Sequence, residues 1–231
     1  MLLSAGEWGV VALSAKVSAV AIAGTLPVAF VLALALARGR FRGRVLLDAL
    51  VHLPLVLPPV VIGWMLLIAF GPSGPVGGWL ERLFGVSLLF RWTGAALAAG
   101  VMALPLMVRA IRLSLEAVDP RLEAAARTLG AGRWSTFRRI TLPLSLPGIV
   151  AGAVLGFARS LGEFGATITF VSNIPGETQT LPLAIYAALQ VPGGDATVWR
   201  LALIAVALSL LALVASELLA RRHGGTRAHV L

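Results

Sequence analysis

The sequence predicts an all-α protein, a polytopic transmembrane helical bundle of about five spans. Three observations carry that expectation. Hydrophobic residues make up 58% of the 231-residue chain and charged residues only 13%, where a soluble domain holds about 25% charge. Apolar runs recur at the length of roughly 20 residues that a hydrocarbon layer requires. The basic residues are confined to alternate connections between those runs.

The runs cover approximately residues 10–37, 45–70, 93–113, 147–171 and 197–220. The first follows "MLLSAGEWGVV", which carries Glu7 and no basic residue. A cleaved leader has a positive start, so this run is expected to remain as a span. The connection "RGRFRGR" is short and basic. The second run holds Pro54, Pro58 and Pro59 in "HLPLVLPPVVIG". Proline removes a backbone donor and clashes with the preceding turn, so a kinked or interrupted helix is expected. In a membrane such a break persists where protein or a water-lined cavity satisfies the freed carbonyls. It is either a packing kink or a helix lining a pathway, as in transporters.

In the next connection Trp79, Leu80, Leu83 and Phe84 fall at helical spacing, which suits a helix lying at the interface. The third run leads into segment 119–143, and the fourth into "SNIPGETQTLPLAIYAALQVPGGD", a long connection with turn residues around a short apolar stretch. The tail 221–231 reads as loose. The membrane-embedded unit is therefore expected over 8–220, with a polar segment, 114–142, inside it.

A formal charge of +9 could suggest nucleic acid. Placement argues otherwise: 14 of the 19 Lys and Arg residues fall within 38–44, 109–139 and 221–227. In a five-span chain these lie on one side, which positive-inside bias makes cytoplasmic, with the N-terminus outside. Trp8, Trp92 and Trp199 then sit near the outer interface, where aromatic belts form. Charge records topology, and a lipid bilayer rather than nucleic acid is the expected partner.

Enzyme chemistry finds little to work with. There is no cysteine, and the three histidines, His52, His223 and His229, form no set with metal-ligand or triad spacing. No cofactor or metal is expected. A phosphate-binding loop needs a glycine-rich turn ending in Lys-Ser/Thr. The sole lysine, Lys16, follows Ser14-Ala15 in the first run. Any nucleotide hydrolysis must come from another polypeptide.

Segment "RLEAAARTLGAGRWSTFRRITLP" interrupts the greasy pattern. Asp119-Pro120 is a strong helix start, and Glu123 lies in the first turn, where the helix dipole favours an anion. Leu122, Ala125, Ala126 and Leu129 share one face, and Gly130 is a stop signal. After "GAG", Trp134, Phe137 and Ile140 recur every third residue in what reads as a second short helix. Small residues at Ala125, Ala126 and Gly130 leave a flat face open to close approach. An amphipathic linker resting on the membrane is the plainer alternative.

This segment resembles the "EAA" signature of ABC importer permeases: Ala125-Ala126, three residues, Gly130, nine residues, then Ile140-Thr-Leu142-Pro143. The signature's glutamate position holds Ala124, with Glu123 one place early. "HLPLVLPPVVIG", "MALPLMVRAIRLSLEAVD" and "ARSLGEFGATITFVSNIPGETQTLPLAIY" extend the likeness over nearly the whole chain, toward molybdate/sulfate-type permeases of the type I ABC importer family. The resemblance implies a homodimeric channel subunit, a cytoplasmic ABC ATPase dimer gripping the segment, and an oxyanion-binding protein docking outside. It implies ATPase coupling by Glu123, Ala125, Ala126, Gly130, Ile140, Leu142 and Pro143.

Arg159 and Glu163 stand one turn apart inside the fourth run. Each would cost about 2.5–3.5 kcal/mol in hydrocarbon, so the pair should face protein or water. They either neutralise each other and hold the bundle, or flank a translocation pathway. The pathway reading groups them with Pro58, Pro59, Gly162, Gly165, Thr167 and Thr169, the glycines allowing close helix contact and the threonines offering hydroxyls. A carboxylate suits an anion poorly as ligand, so Glu163 is expected to be structural or gating. Asp48 with Arg44, and Glu217 with Arg221, read as ordinary i,i+4 pairs at helix ends. The expected cargo is molybdate, with sulfate, tungstate or another oxyanion as alternatives, and a passive channel or structural subunit as the competitor.

Overall fold

The computed structural model describes residues 4–224. α1 (Ala5–Arg38) opens with a reciprocal cap: Ser4 Oγ accepts from the Glu7 amide, and Glu7 accepts from the Ser4 amide. At 34 residues it is roughly 51 Å long, well over the thickness of a hydrocarbon layer. α5 (Trp92–Glu116) is the central helix, and α1 and α8 (Leu142–Leu161) pack along it. Its sequence explains this: Gly94, Ala95, Ala96, Ala98, Ala99, Gly100 and Ala103 are all buried, and small residues let backbones approach closely.

Two apolar cores stack along α5. One gathers Val17, Ile62, Leu66, Ala99 and Phe170 near the Trp92 end. The other gathers Ala33, Leu36, Val51, Met107 and Ile111 near the basic end. Among the described residues four helices are long and apolar enough to cross a membrane, or five if the bent pair α2 (Arg44–Val56) and α3 (Pro59–Phe70) is one broken span. These two meet at 115° across Leu57 and Pro58. The second span is thus interrupted, with Pro54 inside α2 and the break at the Pro58-Pro59 pair. Val51 of α2 belongs to one core and Ile62 of α3 to the other, so the broken pair contributes to both.

The fourth run departs from expectation. It is not one helix over 147–171. α8 ends at Leu161, residues 162–164 form a break, and α9 (Gly165–Val171) starts afresh. The segment before it also differs. α6 (Pro120–Thr128) is the short helix expected, but the second is not separate. α7 (Arg133–Thr136) passes through a π-turn (Phe137–Thr141) straight into α8, giving one rod from Arg133 to Leu161. A π-turn widens a helix without ending it.

α4 (Gly77–Phe84) exposes Trp79, Leu83 and Phe84, as an interfacial helix would. α10 (Leu181–Leu189) is pinned by its first amide, which donates to Ser14 Oγ at 2.7 Å. α11 (Asp195–Gly224) packs on α8 and α10 and continues past the start of the expected loose tail. Residues 225–231 and the side chains of Glu217 and Arg221 lie outside the described residues.

The two breaks touch. A Cβ on Gly165 would stand 2.8 Å from Pro59 Cβ, and one on Gly63 would stand 2.6 Å from Ala166 O and 2.8 Å from Thr169 Cβ. Gly63→Ala must therefore displace backbone, an overpacking cost of about 1–3 kcal/mol. Gly156→Ala meets the flexible Met107 side chain at 2.8 Å and should cost less. Thermal unfolding in detergent is expected to rank the two variants in that order. Equal melting temperatures would contradict the close α3–α9 crossing.

Candidate functional site

Two places stand out, one at the basic end and one at the meeting of the breaks. At the basic end α6 begins on Asp119, whose Oδ1 accepts from the Arg121 amide at 2.8 Å. It ends in the turn at Gly130, where φ is +86°. That is a left-handed conformation glycine adopts without strain. Ala131 N–H donates to Ala126 O at 3.0 Å, closing the turn. No α6 side chain is buried. Leu129 is 89% exposed and Trp134 72%, so large apolar groups stand in the open beside the charged ones. Ala125 and Gly130 are exposed and Ala126 half-buried.

Glu123 differs from its neighbours. Its Oε1 accepts from Arg38 Nη2 at 3.0 Å and from Thr141 Oγ1 at 2.7 Å, while Oε2 accepts from Arg38 Nη1 at 3.4 Å. Arg38 Nη2 also donates to Leu115 O at 3.2 Å. The carboxylate ties α6 to the last turns of α1 and α5 and to the π-turn, so it points into the chain rather than outward. Ile140 lies in the π-turn, and Leu142 and Pro143 begin α8. The seven residues grouped from the sequence thus fall into an exposed patch, an internal anchor and the root of a span. Arg38 and Thr141 were missed as anchor partners, because no spacing rule links position 123 to 38.

At the breaks, Arg159 Nη1 meets Glu163 Oε2 at 2.8 Å, and Glu163 Oε1 accepts from the Ala166 amide at 2.9 Å. Glu163 is therefore not part of a span helix. It sits in the 162–164 break and supplies one of the acceptors that the first amides of α9 lack. Its side chain is 2% exposed and that of Arg159 28%. Gly165 does allow close contact, with Pro59, whereas a Cβ on Gly162 would meet nothing nearer than 3.9 Å. Thr167 is buried in the core, and Thr169 Oγ1 donates to Gly165 O at 2.8 Å. In this conformation neither threonine is set up as a free hydroxyl on a pathway. Pro58 and Pro59 are exposed.

Other charges pair between helices. Asp48 does not pair with Arg44; it meets Arg112 of α5 at 3.0 Å, and Arg44 reaches Glu116 at 3.9 Å. At the opposite end Arg200 of α11 holds Glu7, with Nε to Oε1 at 2.9 Å. Lys16 Nζ lies 3.6 Å from the Trp92 ring centroid, a cation–π contact rather than simple snorkelling. Among the described residues no group of three His, Asp or Glu side chains could hold a metal ion.

Removing one partner of a buried pair costs about 3–5 kcal/mol. Glu163→Ala loses both the Arg159 contact and the Ala166 cap, whereas Glu163→Gln keeps a neutral acceptor for the amide. Glu163→Ala should therefore unfold at a clearly lower temperature than Glu163→Gln in the same detergent. The opposite order would contradict the capping role.

Residues 26–224 match the family described as "Binding-protein-dependent transport system inner membrane component". The chain is 58% identical over 221 residues to the molybdenum transport system permease protein ModB of Escherichia coli (strain K12), covering 96% of each chain. It is 56% identical over 216 residues to the ModB protein of Haemophilus influenzae, covering 94% of each. The sulfate transport system permease protein CysT of E. coli is 41% identical over 192 residues, 82% of this chain and 68% of that one. Among solved structures, a bacterial ABC transporter involved in import of the acidic polysaccharide alginate aligns with a TM-score of 0.74. That alignment covers 95% of this chain and 80% of the other at 22% identity, a likeness of fold. Systems of this family join a membrane component to a separate ATPase and a binding protein. The chain belongs to that family: it is a multi-pass inner-membrane permease component of an ABC transporter, and not itself the ATPase.

Proposed function

We propose that this chain forms the translocation pathway of an ATP-driven molybdate importer, as a homodimer, with the hairpin at 114–142 as the lever on which the ATPase acts. The observation that carries the cargo is the end-to-end likeness to molybdenum-system permeases, which exceeds the likeness to a sulfate permease in both identity and coverage. The bundle would span 8–220. The basic end would face the cytoplasm and the Trp8, Trp92 and Trp199 end the periplasm, where a binding protein would dock.

The geometry supports a definite mechanical route. Ala125, Ala126 and Gly130 would be held by the ATPase, with Leu129 and Trp134 filling apolar hollows. Glu123 would keep α6 rigid against α1 and α5 through Arg38. Movement of the hairpin would pass along the rod of 29 residues from Arg133 to Leu161, roughly 43 Å, with Ile140, Leu142 and Pro143 at its root. The rod ends at the break that holds Glu163, the partner of Arg159, and Gly165, just beyond it, packs against Pro59. A gate built at two abutting breaks can open by rotation about a few residues while the cores on either side stay packed.

Vesicles containing the permease, the ATPase and the binding protein are expected to accumulate molybdate only with hydrolysable ATP. Uptake unchanged without the ATPase would refute coupling. Saturable uptake of sulfate in preference to molybdate would move the cargo to the sulfate reading. Gly130→Trp puts a bulky side chain into a left-handed turn on the gripped face. It should reduce ATPase co-purification at least tenfold while leaving membrane insertion intact, and normal assembly would contradict the assigned contact.

A further inference from the structure

The basic end holds a half-open cavity of about 930 Å³ between the end of α1, the following connection and α6–α7. Its rim carries Arg40, Arg44, Arg127 and Arg133, in addition to Arg38. Arg38 is neutralised by Glu123 at 3.0 Å, and Arg44 has only a distant carboxylate at 3.9 Å. Among the described residues Arg40, Arg127 and Arg133 make no ion pair. Four guanidinium groups around one space with little negative charge repel one another and call for an anion.

The floor of the cavity is of a different kind. Leu34, Ala37 and Phe137 line it, and Phe137 continues inward onto Phe30 of α1 with ring centroids 6.2 Å apart. Trp134 stacks on the outer side of Phe137 with ring centroids 5.5 Å apart and is itself exposed. Cationic rim above apolar floor, at the end of a membrane-crossing helix, is the chemistry of a phospholipid: a phosphate at the level of the guanidinium groups and methylenes below. Size agrees. A free tetrahedral oxyanion fills roughly 100 Å³ on the scale of about 30 Å³ per water-sized group, far less than this space, while pockets of about 300–1,000 Å³ hold ligands of headgroup size or larger. An acidic surface on a soluble partner could meet the rim but could not reach the floor beside Phe30.

We infer that this cavity is a binding site for the phosphate headgroup of an anionic phospholipid, wedged beside the hairpin root. The site requires only that the chain sit in a bilayer with this end at a leaflet surface, so it stands or falls independently of the cargo and of the transport reading. A lipid there would contact α1, the 39–44 connection and the start of the rod together, and would stiffen the hairpin that Glu123 anchors from the other side.

The test is native mass spectrometry of the permease–ATPase complex taken from nanodiscs of mixed phosphatidylglycerol and phosphatidylcholine. Phosphatidylglycerol is expected to be retained selectively. The triple variant Arg40→Gln, Arg127→Gln, Arg133→Gln should weaken retention about 100-fold, at roughly a factor of five per arginine near a charged surface. The matching triple lysine variant should largely keep the lipid, and Arg82→Gln with Arg91→Gln, at the other end, should not change it. Equal retention by wild type and the glutamine variant would overturn the inference. So would displacement of the lipid by millimolar inorganic phosphate, which would mark a small-anion site. Retention by the isolated permease but not by the assembled complex would assign the cavity to the ATPase and overturn it as well.

Discussion

In an apolar bundle every carboxylate withdrawn from water has to be answered inside the same chain, and this fold is organised around three such answers. Glu7 takes Arg200 and the Ser4 amide. Glu123 takes Arg38 and the Thr141 hydroxyl. Glu163 takes Arg159 and the Ala166 amide. Each is one arginine plus one neutral donor, the combination that gives a covered carboxylate partners within the chain. They fall at one end of the bundle, at the other end, and at the break between the stacked cores. Each joins elements that share no continuous helix: α1 to α11, α6 to α1 and the π-turn, α8 to α9. Apolar packing in a membrane lacks the drive that water supplies, so these polar ties fix which arrangement of the helices is adopted.

Much of this was legible in the sequence, for identifiable reasons. Spans one, three and five are uninterrupted apolar runs, and length alone finds them. The Pro58-Pro59 break announces itself, since proline cannot continue the hydrogen-bond ladder. Asp119, Pro120 and Gly130 mark α6 because caps act within a turn of their own position. The break at 162–164 was less visible. No proline stands there, and Glu163 in "LGEFG" reads as a charge on a helix face. The glycines on both sides of a carboxylate that can cap the next helix were the available signal. The fusion of α7 to α8 was hidden for a related reason. Pro143 suggests a fresh start, but it stands just after the π-turn (Phe137–Thr141), at the second position of α8, and the rod runs on through it. The partners of Glu123, Asp48 and Glu7 were illegible, because tertiary contacts between positions far apart leave no periodic trace.

The consequence for mechanism lies in stiffness. A lever works only if its arm is stiffer than its joint. The arm has a helix through the full 133–161 stretch, seated on α5 by glycines that bring backbones together: Gly148 against Ser114, Gly152 against Met107 O and Ile111. The joint has three non-helical residues held by one carboxylate. The hairpin's attachment is likewise asymmetric, rigid toward the bundle through Glu123 and bare toward solvent at Ala125 and Gly130. On the proposed lever reading, strain applied to the bare side would be taken up at the 162–164 break, whose Gly165 abuts Pro59.

On the proposed transport reading, a carboxylate near the path of a doubly charged oxyanion looks like an obstacle until the exposure of the pair is compared. Glu163 is almost wholly covered, with its two oxygens directed at Arg159 and at the first turn of α9, while the Arg159 side chain keeps about a quarter of its surface open. The pair is neutral in sum but unequal in exposure: the more open partner is the cation, with the covered carboxylate in direct contact behind it at 2.8 Å. At the low dielectric of a bundle interior, such a dipole favours an anion's presence over a short distance without the depth of a binding site. That is what passage requires. On the transport reading the same carboxylate that caps α9 also keeps Arg159 from holding the cargo too tightly, so one residue serves both the architecture of the break and the weakness of the contact.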